Sequence, residues 1–299
     1  MSSSDALITI GTVNWYSCAY LEKLFHNLLD KAEHSDRLRF VVVDNTNGKD
    51  DSIEKLKEAF QNITIIRNDS RQTKGSPSHA SGLNIVMKNI KTPYALILDP
   101  DVHVFKKNWD TFLIDLTNKN NIFTLGVSFP PWQLGMYHNF PNPVFCFFET
   151  KQYLEFAPDW SAYDVNGFII CWDFARRNFL RLGTFINRKH FENSKLIRTL
   201  WPRIEKIIGL CSRDTGWRRA QKAKKSEIKT IIFETKVVPS EEFKPDDFYS
   251  NMAKYFELYC YQNEPILAHK ASTNSPVFKT DKSNDENLWK ECIEQIERQ

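Results

Sequence analysis

Tyr94-Ala95-Leu96-Ile97-Leu98-Asp99-Pro100-Asp101 is a short apolar run that ends abruptly in two acids. A run of this kind reads as a buried β-strand whose carboxyl end opens into a polar loop. Upstream the same grammar repeats. Ala6–Thr12 is a β-rich run, followed by Leu21, Leu24, Phe25, Leu28 and Leu29 at the spacing of one helical face. Phe40–Val43 is a second strand that ends in Asp44-Asn45, and Ile53, Leu56 and Phe60 mark a second helix. Ile63–Ile66 reads as a third strand, with a third helix at Ala80, Leu83, Val86 and Met87. Strands that are apolar throughout and alternate with amphipathic helices predict an α/β fold with a mostly parallel sheet covered on both faces. In such sheets ligands bind beyond the carboxyl ends of the strands. Polar residues gather at those ends: Thr12 and Asn14, then Asp44 and Asn45, then Asp99 and Asp101.

Downstream, a helix is expected through Phe112, Leu113 and Leu116, with strands at Ile122–Phe129 and Val144–Phe148 around a loop at Pro130–Pro143. From about Ser194 to Lys225 the pattern is helical, with Ile197, Leu200, Ile204, Ile207 and Ile208 on one side. Ile228–Phe233 reads as a late strand, Ile266–Ala268 as a short apolar run, and Asn284–Gln299 as an exposed helix. The division expected is residues 1–129 as one half and 130–299 as the other, within one continuous globular domain.

The 299 residues, 41% of them hydrophobic, suffice for a substantial core. Lys and Arg number 40 against 37 Asp and Glu, a net charge of +3 that argues for no nucleic-acid partner. Six cysteines without a CxxC pair read as reduced thiols. Met1 to Asp5 carry no basic or apolar leader pattern, and no apolar run is long enough to span a bilayer. The expectation is therefore a cytoplasmic protein, with peripheral contact at the membrane's cytoplasmic face left open.

Two carboxylates two residues apart, Asp99 and Asp101, stay charged beside a buried strand only if solvated or paired with cations. Hard Mg²⁺ or Mn²⁺ suits such a pair, taking one or two carboxylates plus phosphate oxygens and water. The alternative is an Asp-Pro turn with an ordinary loop acid after it. Asp44 could accept hydrogen bonds from a base or ribose. Lys74-Gly75-Ser76-Pro77-Ser78-His79-Ala80-Ser81-Gly82-Leu83-Asn84 is small and polar before turning helical, so its helix start suits phosphate or hydroxyl groups. A plain Ser-capped helix is the other reading of that segment.

In this order, ITIGTVN, VVVDN, GSPSHASGLN and LILDPDVH resemble the family 2 glycosyltransferases, closely over residues 6–105 and more loosely to about residue 270. The resemblance implies a GT-A fold, with a Rossmann-like sheet and an acceptor-side helical region. It also implies a nucleotide-sugar donor, a Mn²⁺ or Mg²⁺ cofactor and an inverting transfer. Thr12, Asn14, Asp44 and Asn45 match positions that hold the nucleotide. Asp99 matches the acid facing ribose and metal, and Asp101 the metal ligand. Asp214, in Arg213-Asp214-Thr215-Gly216-Trp217-Arg218, matches the catalytic base, with helix capping as its other reading. His269 matches a late histidine near the metal, and His103 is its rival. Pro100 inside the acidic motif and Thr215-Gly216 after Asp214 depart from the family pattern.

Arg218 or Arg219 could meet the diphosphate, whereas Lys222 to Lys225 read as a solvated face. Trp132, Tyr137, Phe140 and Trp160 could stack on sugars, enter a membrane near a lipid-linked acceptor, or simply fill the core. The acceptor expected is a saccharide, a lipid-linked sugar or a protein. The rivals are a non-catalytic glycan- or nucleotide-binding protein on the same fold and a sugar-phosphate nucleotidyltransferase. The second would carry a Gly-rich, Arg-containing loop where Gly11-Thr12-Val13-Asn14-Trp15 stands.

Overall fold

A computed structural model describes residues 6–69, 75–156, 159–161, 166–226, 228–271, 282 and 284–299. In chain order the strands and helices are β1 (Ile8–Asn14), α1 (Cys18–Lys31), β2 (Leu38–Asp44), α2 (Ser52–Ala59), β3 (Ile63–Arg67), α3 (Gly75–Asn89), β4 (Tyr94–Leu98), β5 (Val102–Val104), α4 (Trp109–Asn120) and β6 (Thr124–Val127). They continue with β7 (Phe145–Glu149), α5 (Thr150–Phe156), α6 (Gly167–Arg181), α7 (Arg188–Asn193), α8 (Lys195–Ile208), α9 (Trp217–Lys225), β8 (Thr230–Thr235), α10 (Phe248–Tyr255), β9 (Glu257–Tyr261), β10 (Glu264–His269) and α11 (Glu286–Glu297). The chain forms two compact units. The first comprises Met1–Val127, Asn139–Tyr163 and Asp214–Ile232; the second comprises Ser128–His138, Asp164–Arg213 and Phe233–Gln299.

In the first unit β3, β2, β1 and β4 run parallel in that order; β7 follows antiparallel to β4, and β6 antiparallel to β7. The parallel part is as the apolar runs predict. The reversal at β7 is new, because strand direction is not encoded in hydrophobicity. Every residue of β1 is buried, as a central parallel strand requires. Register places Asn14 opposite Asp44 and Gly11 opposite Ile97. Two glycines let α3 lie close on the sheet. A methyl group at Gly11 would come within 2.3 Å of Val86 Cγ1, and one at Gly82 within 2.8 Å of Val13 Cγ2. Below α1, Leu21, Leu24, Phe25 and Leu28 join Phe40 and Phe60 in the core.

The second unit holds α6, α7 and α8 and the antiparallel β9–β10 pair. Its small helical core is Leu134, Leu180, Ile186 and Cys211, with Ile197, Trp201, Ile204 and Ile208 packed against it. This corrects the predicted face: Leu200 and Ile207 lie in solvent instead, because they fall roughly 70–90° around the helix from the inward stripe at 100° per residue. The helical stretch is also broken between α8 and α9, where Gly209 and Gly216 take positive φ. The terminal helix α11 is not exposed as predicted; Trp289, Cys292 and Ile296 are buried, with Trp289 edge-on to Phe256. Trp132, Tyr137, Phe140 and Trp160 are all core residues, so none is available for a sugar or a membrane. None of the six cysteines forms a disulfide. Among the described residues, no helix is long and apolar enough to cross a membrane.

Candidate active site

The carboxyl ends of β1 and β2 are tied by a dense polar network. Asn14 Nδ2 donates to Asp44 Oδ1 and to Asp50 Oδ2, both at 3.1 Å. Asp44 Oδ1 also accepts from Thr46 N at 3.0 Å and Thr46 Oγ1 at 2.7 Å, while its Oδ2 accepts from Gly48 N at 3.0 Å. Asp44 is only 1% exposed, so these four bonds are what keep a buried carboxylate in place. Its side chain thereby shapes the loop after β2 in this structure. Asp50 is drawn upward by burial, but hydrogen bonds from Asn14, Cys18 and Ser52 outweigh this and hold its carboxyl below the usual value. Burial, reinforced by Asp50, pushes the Cys18 thiol up to about 12, so it is no nucleophile. Thr12 is wholly buried, and its Oγ1 has no hydrogen-bond partner among the described residues.

The network continues into α3. Asn45 Nδ2 donates to Ser78 O at 2.8 Å and Ser78 Oγ at 3.1 Å, and Asn68 Nδ2 donates to Asn45 Oδ1 at 2.7 Å. The start of α3 is thereby pinned to the ends of β2 and β3. That helix start then meets both candidate acids. His79 Nε2 lies 3.4 Å from Asp99 Oδ1, with the two side chains 29% and 23% exposed. Thr215 Oγ1 donates to Ser76 O at 3.3 Å, which fixes the loop carrying Asp214 against the same turn. Lys74, at the head of the predicted segment, lies outside the described residues.

Asp99 continues the ladder of β4 through its N–H to Val144 O, and Pro100-Asp101 form the turn into β5. β5 is latched to α1, since Val104 N donates to Asn27 Oδ1 at 2.8 Å and Asn27 Nδ2 to Val104 O at 3.0 Å. Asp99 and Asp101 are both partly exposed. His103 sits beside Asn27 and edge-on to Phe105.

Asp214 does not cap α9 with its side chain. The N-cap is Gly216, at φ 86°, with no side-chain cap bond. The Asp214 carboxylate instead accepts from Thr215 N at 2.6 Å and stays partly exposed. Arg218 lies 3.7 Å from Asp159 and is partly exposed. Hydrogen bonds from Ser161 and Asn84, with the charge of Arg218, overcome burial and hold Asp159 below the ordinary aspartate value. Arg219 is excluded from any diphosphate contact. It is 1% exposed, donates to Asp159 O and Tyr153 OH at 2.9 Å each, and stacks on Trp160 at 3.8 Å. Lys222, Lys224 and Lys225 are exposed, as a solvated face requires.

In the second unit His269 Nδ1 pairs with Glu257 Oε2 at 2.7 Å, and Tyr259 OH donates to the same oxygen at 2.9 Å. Two features escaped the sequence. His79 is hidden within a helical pattern, and only its place one turn after a polar helix start could have marked it. Trp15 and Tyr16, exposed just past β1, form an edge-on pair, and Tyr16 stands at φ 54°. Their signal was an aromatic pair directly behind a strand end.

Residues 9–169 match the family described as glycosyl transferase family 2. Among solved structures the chain is similar to the mannosyltransferase PcManGT from Pyrobaculum calidifontis, in complex with GDP-Man and Mn²⁺. The identity there is 14% and the TM-score 0.44, over 83% of this chain and 60% of that one. It is also similar to TarS from S. aureus in complex with UDP-GlcNAc, at 13% identity and TM-score 0.37, over 48% of this chain and 45% of that one. The chain thus spans only part of each of these proteins. No curated protein matches it.

Proposed function

The chain belongs to glycosyl transferase family 2, and from that premise we propose that it moves a sugar from a nucleotide-diphosphate sugar onto an acceptor hydroxyl, with inversion. The first unit takes the donor. One observation carries this reading. The start of α3 gathers Asp99, through His79, and the Asp214 loop, through Thr215, at the carboxyl edge of a parallel sheet, which is where such sheets bind ligands.

Asp99 and Asp101 are the residues that would hold Mn²⁺ or Mg²⁺. The donor set fits: two partly exposed carboxylates on one turn suit a hard cation that brings phosphate and water ligands with it. Among the described residues no group of three or more His, Cys, Asp or Glu forms a closed cage. When bound, the ion supplies positive charge against the leaving diphosphate. Asn14, Asp44 and Asn45 position the loops that receive the nucleoside. Trp15 offers a ring for base stacking, and Arg218 a guanidinium for phosphate oxygens.

Asp214 takes the proton of the acceptor hydroxyl as that oxygen bonds to the anomeric carbon and the bond to the diphosphate breaks. A single displacement of this kind inverts configuration and needs one base. Saccharide, lipid-linked sugar and protein all offer the required hydroxyl. Release of nucleoside diphosphate from a panel of nucleotide sugars, with mixed acceptors, tests the assignment. Asp214→Asn should slow transfer by about 10²–10⁴-fold while nucleotide binding is kept. Unchanged turnover in this variant would remove Asp214 as the base.

A further inference from the structure

The helix α6 is turned inside out. Its buried residues are Asp173, Leu180 and Arg181. Asp173 pairs with Arg176 and with Arg213, and Arg181 donates to Leu134 O at 2.9 Å. The large apolar residues go the other way. Phe168, Trp172, Phe179 and Leu182 are 79%, 57%, 66% and 53% exposed. With exposed Ala175 they form one continuous stripe at i, i+4, i+7, i+11 and i+14, and exposed Cys171 flanks it at i+3.

The neighbouring helix α8 repeats the pattern. Ile197, Trp201, Ile204 and Ile208 face the shared core, yet Leu196 and Ile207 are 70% and 86% exposed. Leu196, Leu200, Arg203 and Ile207 again follow i, i+4, i+7 and i+11. Scattered surface leucines need no explanation, but stripes of large apolar side chains on two adjoining helices mark an interaction surface.

The charges say what covers it. Residues 166–208 contain nine Lys or Arg and only three Asp or Glu, in a chain whose net charge is +3. All three acids are turned inward and engaged: Asp173 as above, Glu192 with Arg188, and Glu205 with His138. The charged residues left exposed in this stretch are Lys189, Lys195, Arg203 and Lys206, every one basic. Aromatic and aliphatic side chains on one face, rimmed by Lys and Arg, match the acyl–headgroup boundary of an anionic bilayer. A second copy of the chain would bring two positive rims together.

We propose that α6 and α8 form an interfacial surface that docks the protein on anionic lipid bilayers without crossing them. The surface lies in the second unit, and its test needs no donor, so it stands or falls separately from the glycosyl-transfer reading. Full-length protein is sedimented with vesicles of phosphatidylcholine alone or mixed with phosphatidylglycerol, at low and high salt. Binding is expected on the mixed vesicles, at least about tenfold tighter than on the neutral ones and weakened by salt. The exposed triple variant Phe168→Ser, Trp172→Ser, Phe179→Ser should lose at least about tenfold in partition. Lys195→Gln, Arg203→Gln, Lys206→Gln should lose the preference for the anionic lipid. An unchanged urea midpoint certifies the fold of each. No binding of the parent protein to anionic vesicles at low salt would overturn the proposal, as would variants that bind like the parent. It is equally overturned if sedimentation equilibrium without lipid shows a dimer that the triple Ser variant dissolves while vesicle binding persists.

Discussion

Gly11→Ala probes how the sheet holds the site. Gly11 stands in the middle of β1, where the added methyl would meet Val86 Cγ1 at 2.3 Å and Ile97 Cδ1 at 2.9 Å. Val86 is a fully buried residue of α3, stiff at χ1 and with little room to yield. The methyl therefore forces α3 away from the sheet, at about 1–3 kcal/mol for overpacking. That same helix carries Ser76, Ser78 and His79 toward Thr215, Asn45 and Asp99, so a shift there reaches the donor site. Val86→Ala alone leaves a cavity and loses about 2 kcal/mol. In the double variant the methyl added by Gly11→Ala occupies part of the space vacated by Val86. Urea unfolding of the four species should give a double-variant loss smaller than the sum of the singles by at least about 1 kcal/mol. Nucleoside-diphosphate affinity should fall in Gly11→Ala and recover in the double variant. Additive losses would refute the claim that a glycine at this contact sets the seat of α3.

Asp44→Ala should destabilise by about 3 kcal/mol, because it leaves donors on Asn14, Thr46 and Gly48 without their acceptor; urea unfolding measures this, and Asp44→Asn should recover part of it. In the second unit, burial draws the His138 pKa down, but the hydrogen bond and charge of Glu205 outweigh it and leave the pKa raised above 6.5. A raised folded pKa gives stability that is complete below the unfolded value and is lost as pH climbs through the folded one. Urea midpoints should therefore fall as pH rises above about 6.5, and His138→Gln should flatten that limb of the curve. Arg218→Ala should weaken nucleoside-diphosphate binding by about 1.5–3 kcal/mol, the range of a charge-assisted hydrogen bond, as read by calorimetry. An unchanged affinity would free Arg218 from the phosphate role.

The sheet was legible because β1, β2 and β4 are buried on both faces, which leaves unbroken apolar runs such as Phe40–Val43 and Tyr94–Leu98. Asp99 and Asp101 stood out for the same reason, as charges at the mouth of such a run. The second unit was far less legible. In α6 the usual pattern is inverted, with Asp173 and Arg181 inside and Phe168 and Trp172 outside, so periodicity cannot say which face is core. The same problem misassigned Leu200 and Ile207 in α8. β5 spans only Val102–Val104 and is fixed by Asn27, 75 or more residues earlier, a tertiary contact with no local signature. Arg219 reads from the sequence as a diphosphate candidate, and only the rings of Trp160 and Tyr153 around it explain its burial.

Binding of nucleoside diphosphates tests the central claim most directly. UDP, GDP, dTDP and CDP are titrated by thermal shift, each with and without Mn²⁺, against the parent chain and Asp101→Ala. At a ligand concentration about 100 times the dissociation constant, binding stabilises the folded state by about 2.7 kcal/mol. The account predicts such a shift for at least one nucleotide, dependent on Mn²⁺ and abolished in Asp101→Ala. A shift that is the same with and without the metal, or that survives in Asp101→Ala, would contradict the metal role of the acidic pair. No response to any of the four would contradict the donor site itself.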